Sequence, residues 1–159
     1  MGFVIVILEN KRRFRAFNVI DDYNKEKLPV EIDLPLTSNR IVWVLNQLIN
    51  RKGKPKQIRI DNSPEFIAHN ANDWSKMQEI EFKYIQAVKP RQNAFVERFN
   101  RSYKRGVLDK YIFENIDQVR KQTLLWMYDD NNHRPSDSLS KFPPIAYAQK
   151  HYATGFILK

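Results

Sequence analysis

No cysteine occurs anywhere in the 159 residues. Disulfides and thiolate metal sites are thereby excluded, which fits a reducing compartment. No apolar run approaches the length of a membrane span, and FVIVIL at 3–8 has the length of a buried strand without the flanks of a signal peptide. Internal repeats and low-complexity tracts are also missing. These absences lead to the expectation of a soluble cytoplasmic protein with no membrane partner. Acids are scarce relative to bases: 18 Asp and Glu against 27 Lys and Arg leave a net charge of +9. The excess gathers in Lys11–Arg13, Arg51–Lys56 and Arg98–Arg105. One basic run is usually a solvated turn or helix face, but three in a chain of pI 9.8 point to a polyanionic partner.

What is present suffices for one core, since 42% of the residues are hydrophobic and the length asks for no second domain. Residues 2–8 are apolar on both alternations, and the segments 14–21 and 28–34 alternate more visibly. The pattern predicts an antiparallel three-strand meander whose first strand is covered on both faces. Ile41, Val44, Leu45, Leu48 and Ile49 trace an amphipathic helix capped by Thr37 or Ser38 and ended by the loop RKGKPK. A strand at 57–61, a helical stretch at 64–78 opened by Pro64 and a strand at 81–86 complete a mixed sheet. Two closing helices are expected at about 93–110 and 116–131, the second with Asn115 and Gln118 in a capping box. The order gives an α/β layered fold.

Asp61 closes the strand-like run KQIRI, and Glu97 follows it after thirty-five intervening residues. Around Glu97, Val96, Phe99, Tyr103 and Val107 recur at helical spacing as a buried stripe. Glu97, Arg101, Lys104 and Leu108 form a neighbouring stripe, so a carboxylate sits beside basic groups. An acid at a strand end facing an acid on a helix is a candidate seat for a divalent cation.

These residues resemble the DDE integrase catalytic core shared by insertion-sequence transposases and retroviral integrases. The likeness is carried by IDNSPEF at 60–66 and KPRQNAFVERFNRSYK at 89–104. It continues in RRFRAFNVIDDYNKE at 12–26, WMYDDNNHRP at 126–135 and FPPIAY at 142–147. The resemblance implies a ribonuclease-H-like fold with a mixed five-stranded sheet, flanked by helices, that cuts and joins DNA phosphodiesters with Mg²⁺ or Mn²⁺. Residues 1–150 are then an integrase-core-like domain lacking the start of its first-strand region, and 151–159 a C-terminal tail. Implied partners are transposon ends and target DNA, with a second copy or an intact transposase subunit as a protein partner.

By the same resemblance, Asp61 and Glu97 are catalytic metal ligands and Lys104 contacts DNA near the scissile phosphate, with Arg98, Arg101 and Arg105 widening the positive strip. Four positions depart from the family pattern. Gly2, in Met1-Gly2-Phe3-Val4, stands where the first catalytic aspartate is expected; Ser63 and Val88 replace glycines, and Ser136 replaces a frequent histidine. Impaired catalysis is therefore expected, with a non-catalytic DNA-binding or transposase-interacting remnant as the alternative and a nuclease acting on RNA–DNA hybrids as a weaker one. Asp21, Asp22 and Glu9 are the acids available to replace the missing one, although Asp21-Asp22-Tyr23-Asn24 reads as a turn. Lys104 has an ordinary role open to it as a solvated partner of Glu97 or Asp109. Asn62 and Asn93 flank the acids. His69, His133 and His151 share no helical face, Trp126 lies on a core stripe, and the place of Trp43 is open.

Overall fold

The computed structural model describes residues 1–85 and 94–153. β1 (Gly2–Ile7), β2 (Arg13–Ile20) and β3 (Lys27–Asp33) form the antiparallel meander in that order. Asp21 builds the second turn by accepting from the Tyr23 amide at 2.8 Å. α1 (Ser38–Lys52) begins at Thr37, whose hydroxyl accepts from the Arg40 amide, and ends at Gly53, where φ is +89°. β4 (Gln57–Ile60) pairs in parallel with β5 (Glu81–Tyr84). The strand predicted to run to residue 86 ends at Tyr84, although the Ile85 amide still donates to the Ile60 carbonyl at 2.9 Å; residue 86 lies outside the described residues.

Between β4 and β5 the expected single helix is two, α2 (Pro64–Ile67) and α3 (His69–Met77). Ala68 leaves the helical region at ψ 142°, and the Asn72 side chain takes up the freed Ile67 carbonyl at 3.0 Å. α4 (Ala94–Tyr103) runs straight into a π-helical turn over Lys104–Leu108, closed by the Asp109 amide donating to the Lys104 carbonyl at 2.8 Å. The predicted start of this helix at residue 93 is outside the described residues.

α5 (Ile116–Asn132) opens as predicted: Asn115 Oδ1 accepts from the Gln118 amide at 3.0 Å. Gln118 Oε1 reaches back to the Glu114 amide at 3.0 Å, one residue further out than an ideal capping box. A 3₁₀ turn at Asp137–Leu139 and a third closing helix, α6 (Pro144–Ala153), follow. α6 was not predicted, because its apolar pattern is short; Pro144 supplies a first-turn residue that needs no amide donor.

Strand alternation sends side chains to two cores. Met1, Phe17, Val19, Leu28 and Ile60 pack with α1 and α3 through Ile41, Leu45 and Trp74. Val6, Phe14, Ala16 and Ile32 pack with α4 and α5 through Phe99, Tyr103 and Val119. The five strands are those of the expected mixed sheet. Hydrogen bonding divides them into the three-stranded meander and the β4–β5 pair, with the Met1 amine donating to the Arg59 carbonyl at 2.8 Å between the two groups. α5 is fastened to β3 by Asn131, whose amide exchanges two bonds with the Lys27 backbone, at 2.9 and 2.8 Å, as a paired strand would. Lys27 and Arg134 also pair with the buried Asp130. No helix among the described residues is long and apolar enough to cross a membrane.

Candidate functional site

Gly2 lies opposite Asn18 across β1 and β2, and both face α4. A β-carbon placed on Gly2 would stand 3.0 Å from Val96 Cγ1, 3.7 Å from Asn100 Nδ2 and 3.8 Å from Asp61 Oδ2. The missing side chain thus points into the angle between the end of β4, which presents Asp61, and the helix that presents Glu97 one residue after Val96. Asp61 is half-buried and Glu97 exposed. Asp61 Oδ1 accepts from the Ser63 amide at 3.0 Å and from the Ser63 hydroxyl. Its Oδ2 is the oxygen turned towards Gly2. Serine in place of glycine at 63 therefore gives the carboxylate an extra donor on the side away from Gly2.

Two residues of this site were not anticipated. Asn18 is fully buried, and its Nδ2 donates to Asn100 Oδ1 at 2.7 Å, linking β2 to α4. Asn18 Oδ1 has no hydrogen-bond partner among the described residues. The readable signals were a polar residue on the apolar alternation of RFRAFNVI and an asparagine three residues after Glu97. The Met1 amine lies beside the same site. Burial pushes it down to about 6, against the opposing pull of Asp61 and Asp22.

The other acids are engaged elsewhere. Asp21 makes its turn bond, Asp22 pairs with Lys25 at 3.3 Å and Arg59 at 3.6 Å, and Glu9 is exposed beyond β1. Among the described residues no three acids or histidines gather as a metal-binding group. His69 meets Asp73 at 2.5 Å, His133 meets Asp129 at 3.3 Å, and His151 packs on the Tyr147 ring. Asn62 donates to the Ile85 carbonyl at 3.4 Å; Asn93, Val88 and the stretch 89–93 of the glutamate motif lie outside the described residues.

Arg98, Arg101, Lys104 and Arg105 are all exposed and make no ion pair among the described residues, so Lys104 pairs with neither Glu97 nor Asp109. Arg98 also helps Lys141 hold the Asp137 carboxyl below its ordinary range, the Lys141 hydrogen bond being the larger cause. Leu108 departs from the predicted stripe: the π-helical turn adds a residue to the helical repeat and carries Leu108 against the second core. Trp126 stacks on Phe99 at 5.8 Å in that core, and the exposed Trp43 carries the Arg40 guanidinium over its ring at 4.3 Å.

Residues 78–144 match the family model described as an integrase core domain. The 31.7 kDa protein of insertion element IS407 from Burkholderia multivorans is 32% identical over 154 residues, covering 97% of this chain and 56% of that protein. The 39.2 kDa protein of insertion element IS476 from Xanthomonas euvesicatoria is 30% identical over 151 residues, covering 95% and 44%. The chain thus spans about half the length of these relatives. In fold it is similar to the HTLV-2 integrase catalytic core domain, solved in complex with magnesium, with a TM-score of 0.70, 18% identity and coverage of 92% and 91%. The catalytic core domain of BIV integrase gives 0.71, 17%, 98% and 96%. The fold is that of the integrase catalytic cores, and the insertion-element relatives and the integrase-core match over residues 78–144 point the same way: this chain is similar to a DDE-type integrase core.

Proposed function

We propose that this domain binds DNA along the Arg98, Arg101, Lys104 and Arg105 strip and carries the family's phosphodiester chemistry in an incomplete form, with cleavage and strand transfer near background. The observation that carries the reading is the direction of the absent side chain at Gly2. It would enter the space between Asp61 and α4, the helix that carries Glu97.

Two divalent ions about 3.5–4 Å apart need carboxylates that serve both. Asp61 and Glu97 alone do not fit such a pair, and Ser63 already occupies one Asp61 oxygen. The donor set supports at most one Mg²⁺ or Mn²⁺, weakly held and keeping most of its waters. The protein partner on this reading is a second copy or an intact transposase subunit. Solved forms of the HTLV-2 core that are named trimeric and dimeric support self-association as the mode.

Binding to duplex DNA is the direct test. Four phosphate contacts give a salt slope of about −3.6, so raising salt fourfold weakens binding roughly a hundredfold. Arg101→Glu combined with Lys104→Glu should weaken binding and flatten that slope. Binding indifferent to salt and to the charge reversal would refute the strip, and Mn²⁺-dependent cleavage by the unmodified chain, lost in Asp61→Asn, would refute the incomplete site.

A further inference from the structure

The turn between β2 and β3 is stiffened from within. The Asp21 amide donates to the Glu26 carbonyl at 2.9 Å and the Lys25 amide to the Asp21 carbonyl at 3.0 Å. Buried Asn24 meets Glu26 twice at 3.2 Å, and the Glu26 carboxylate accepts from Lys52 of α1 at 2.7 Å. Closing the turn puts Lys25 at φ +59°, where a residue other than glycine stays only when its surroundings hold it.

From this fixed turn, contacts lead to both arms of the candidate site. Lys25 Nζ stands 3.8 Å from the centre of the Phe95 ring, in the first turn of α4 and two residues ahead of Glu97. Asp22 meets Lys25 Nζ at 3.3 Å and, through its other oxygen, Arg59 Nη1 at 3.6 Å, in β4 and two residues ahead of Asp61. The Lys25 side chain is only 16% exposed, and its ammonium also donates to the Asp22 carbonyl. A cation drawn out of water onto an aromatic face binds it more firmly than one at an open surface, so Lys25 on Phe95 is the strong link. The more exposed Asp22–Arg59 pair is the weaker one.

We infer that Lys25 is a positioning residue: seated on Phe95 and tied through Asp22 to Arg59, it sets how far the end of β4 stands from the first turn of α4, and with that the separation of Asp61 and Glu97. The inference rests on the reading of those two acids as ligands and adds what holds them in place. Ligands must keep to within about 0.5 Å of their working positions. Groups outside the ligand set that hold them there commonly govern metal affinity by about tenfold or more.

Because the chain has no cysteine, spin labels on Asn62→Cys and Arg98→Cys report on those two exposed positions alone. In the labelled full chain, Lys25→Met keeps the apolar stem and removes the charge, whereas Phe95→Leu removes the ring. Each should shift the label separation by about 1 Å or more, and the two together should do no more than either alone. Lys25→Arg should keep the parent separation, because a guanidinium also sits over an aromatic face. Unchanged amide exchange at Met127 in α5 shows that the fold is kept. Without labels, Lys25→Met should weaken Mn²⁺ binding about tenfold and Lys25→Arg should not. A separation unmoved by either change, effects that add, or an arginine that behaves like methionine overturns the inference. So does a separation that moves while Mn²⁺ affinity holds. An unmodified chain that binds no Mn²⁺ refutes the ion reading instead, and the label separations then decide the clamp on their own.

Discussion

Gly2→Asp puts a carboxylate where the site has none, and its consequences can be worked out without reference to activity. The new β-carbon lies 3.0 Å from Val96 Cγ1, so Val96 must give by a few tenths of an ångström, and Val96→Ala as a companion removes that contact. The added charge comes close to Asp61, whose Oδ2 is 3.8 Å from the β-carbon. Two carboxylates about 5 Å apart repel by roughly 3 kcal/mol at an effective dielectric of 20. Without divalent ions the variant should therefore melt lower than the unmodified chain, by up to about 6–12 °C. A cation bound between the acids reverses the sign. At a hundredfold excess over its Kd, Mg²⁺ adds about 2.7 kcal/mol, or roughly 5–11 °C. Thermal unfolding of the double variant across a Mg²⁺ titration, beside the unmodified chain and the same variant carrying Asp61→Asn, is the assay. The expected result is a Mg²⁺-dependent rise in the double variant alone. A melting temperature that ignores Mg²⁺, or an equal rise in the unmodified chain, would show that position 2 does not face a latent metal site.

The parts of the fold governed by periodicity were legible. The strand order of the meander, α1 with its Thr37 cap and α5 with Asn115 follow from alternation and capping chemistry, which act within a few residues, whereas the first strand, expected to be covered on both faces, leaves Ile5 and Ile7 exposed. The break at Ala68 and the π-helical turn at Lys104–Leu108 were not legible, because periodicity carries neither of the contacts found there: a local side-chain bond from Asn72 to the Ile67 carbonyl at the first, and the packing of the distant Trp126 against Gly106 at the second. At the site, the absence at Gly2 and the acid at Asp61 were readable from motif order. The Asn18–Asn100 bond joins residues eighty-two positions apart and needed the fold to appear. The motif WMYDDNNHRP shows the same limit. Its Asn131 and Asp130 hold β3 and Lys27, a structural role that spacing along one helix does not reveal.

Two further predictions concern the second core. Burial pushes the Tyr103 phenol up to about 12, against the smaller opposite effect of its 2.8 Å bond with Thr123. The folded state then holds its proton while the unfolded chain loses it near pH 10, so stability is intact below pH 10 and falls by roughly 3 kcal/mol as pH rises to about 12. Alkaline unfolding of Tyr103→Phe should lose this component, and an unchanged pH profile would count against it. Gly106→Ala sets two effects against each other. Alanine favours a helical backbone over glycine by up to about 1 kcal/mol. Its β-carbon, however, would lie 2.5 Å from Trp126 Nε1, and that indole is held between Phe99 at 5.8 Å and Tyr103 at 5.5 Å. A ring wedged in this way cannot swing aside like the end of a flexible chain, so overpacking of about 1–3 kcal/mol outweighs the propensity gain. Gly106→Ala should lower Tm by roughly 2–8 °C, and Trp126→Phe in the same chain should recover part of the loss, because the two changes meet at one contact. An alanine variant as stable as the parent would mean that Trp126 does not close over Gly106, and the π-helical turn would then need another cause.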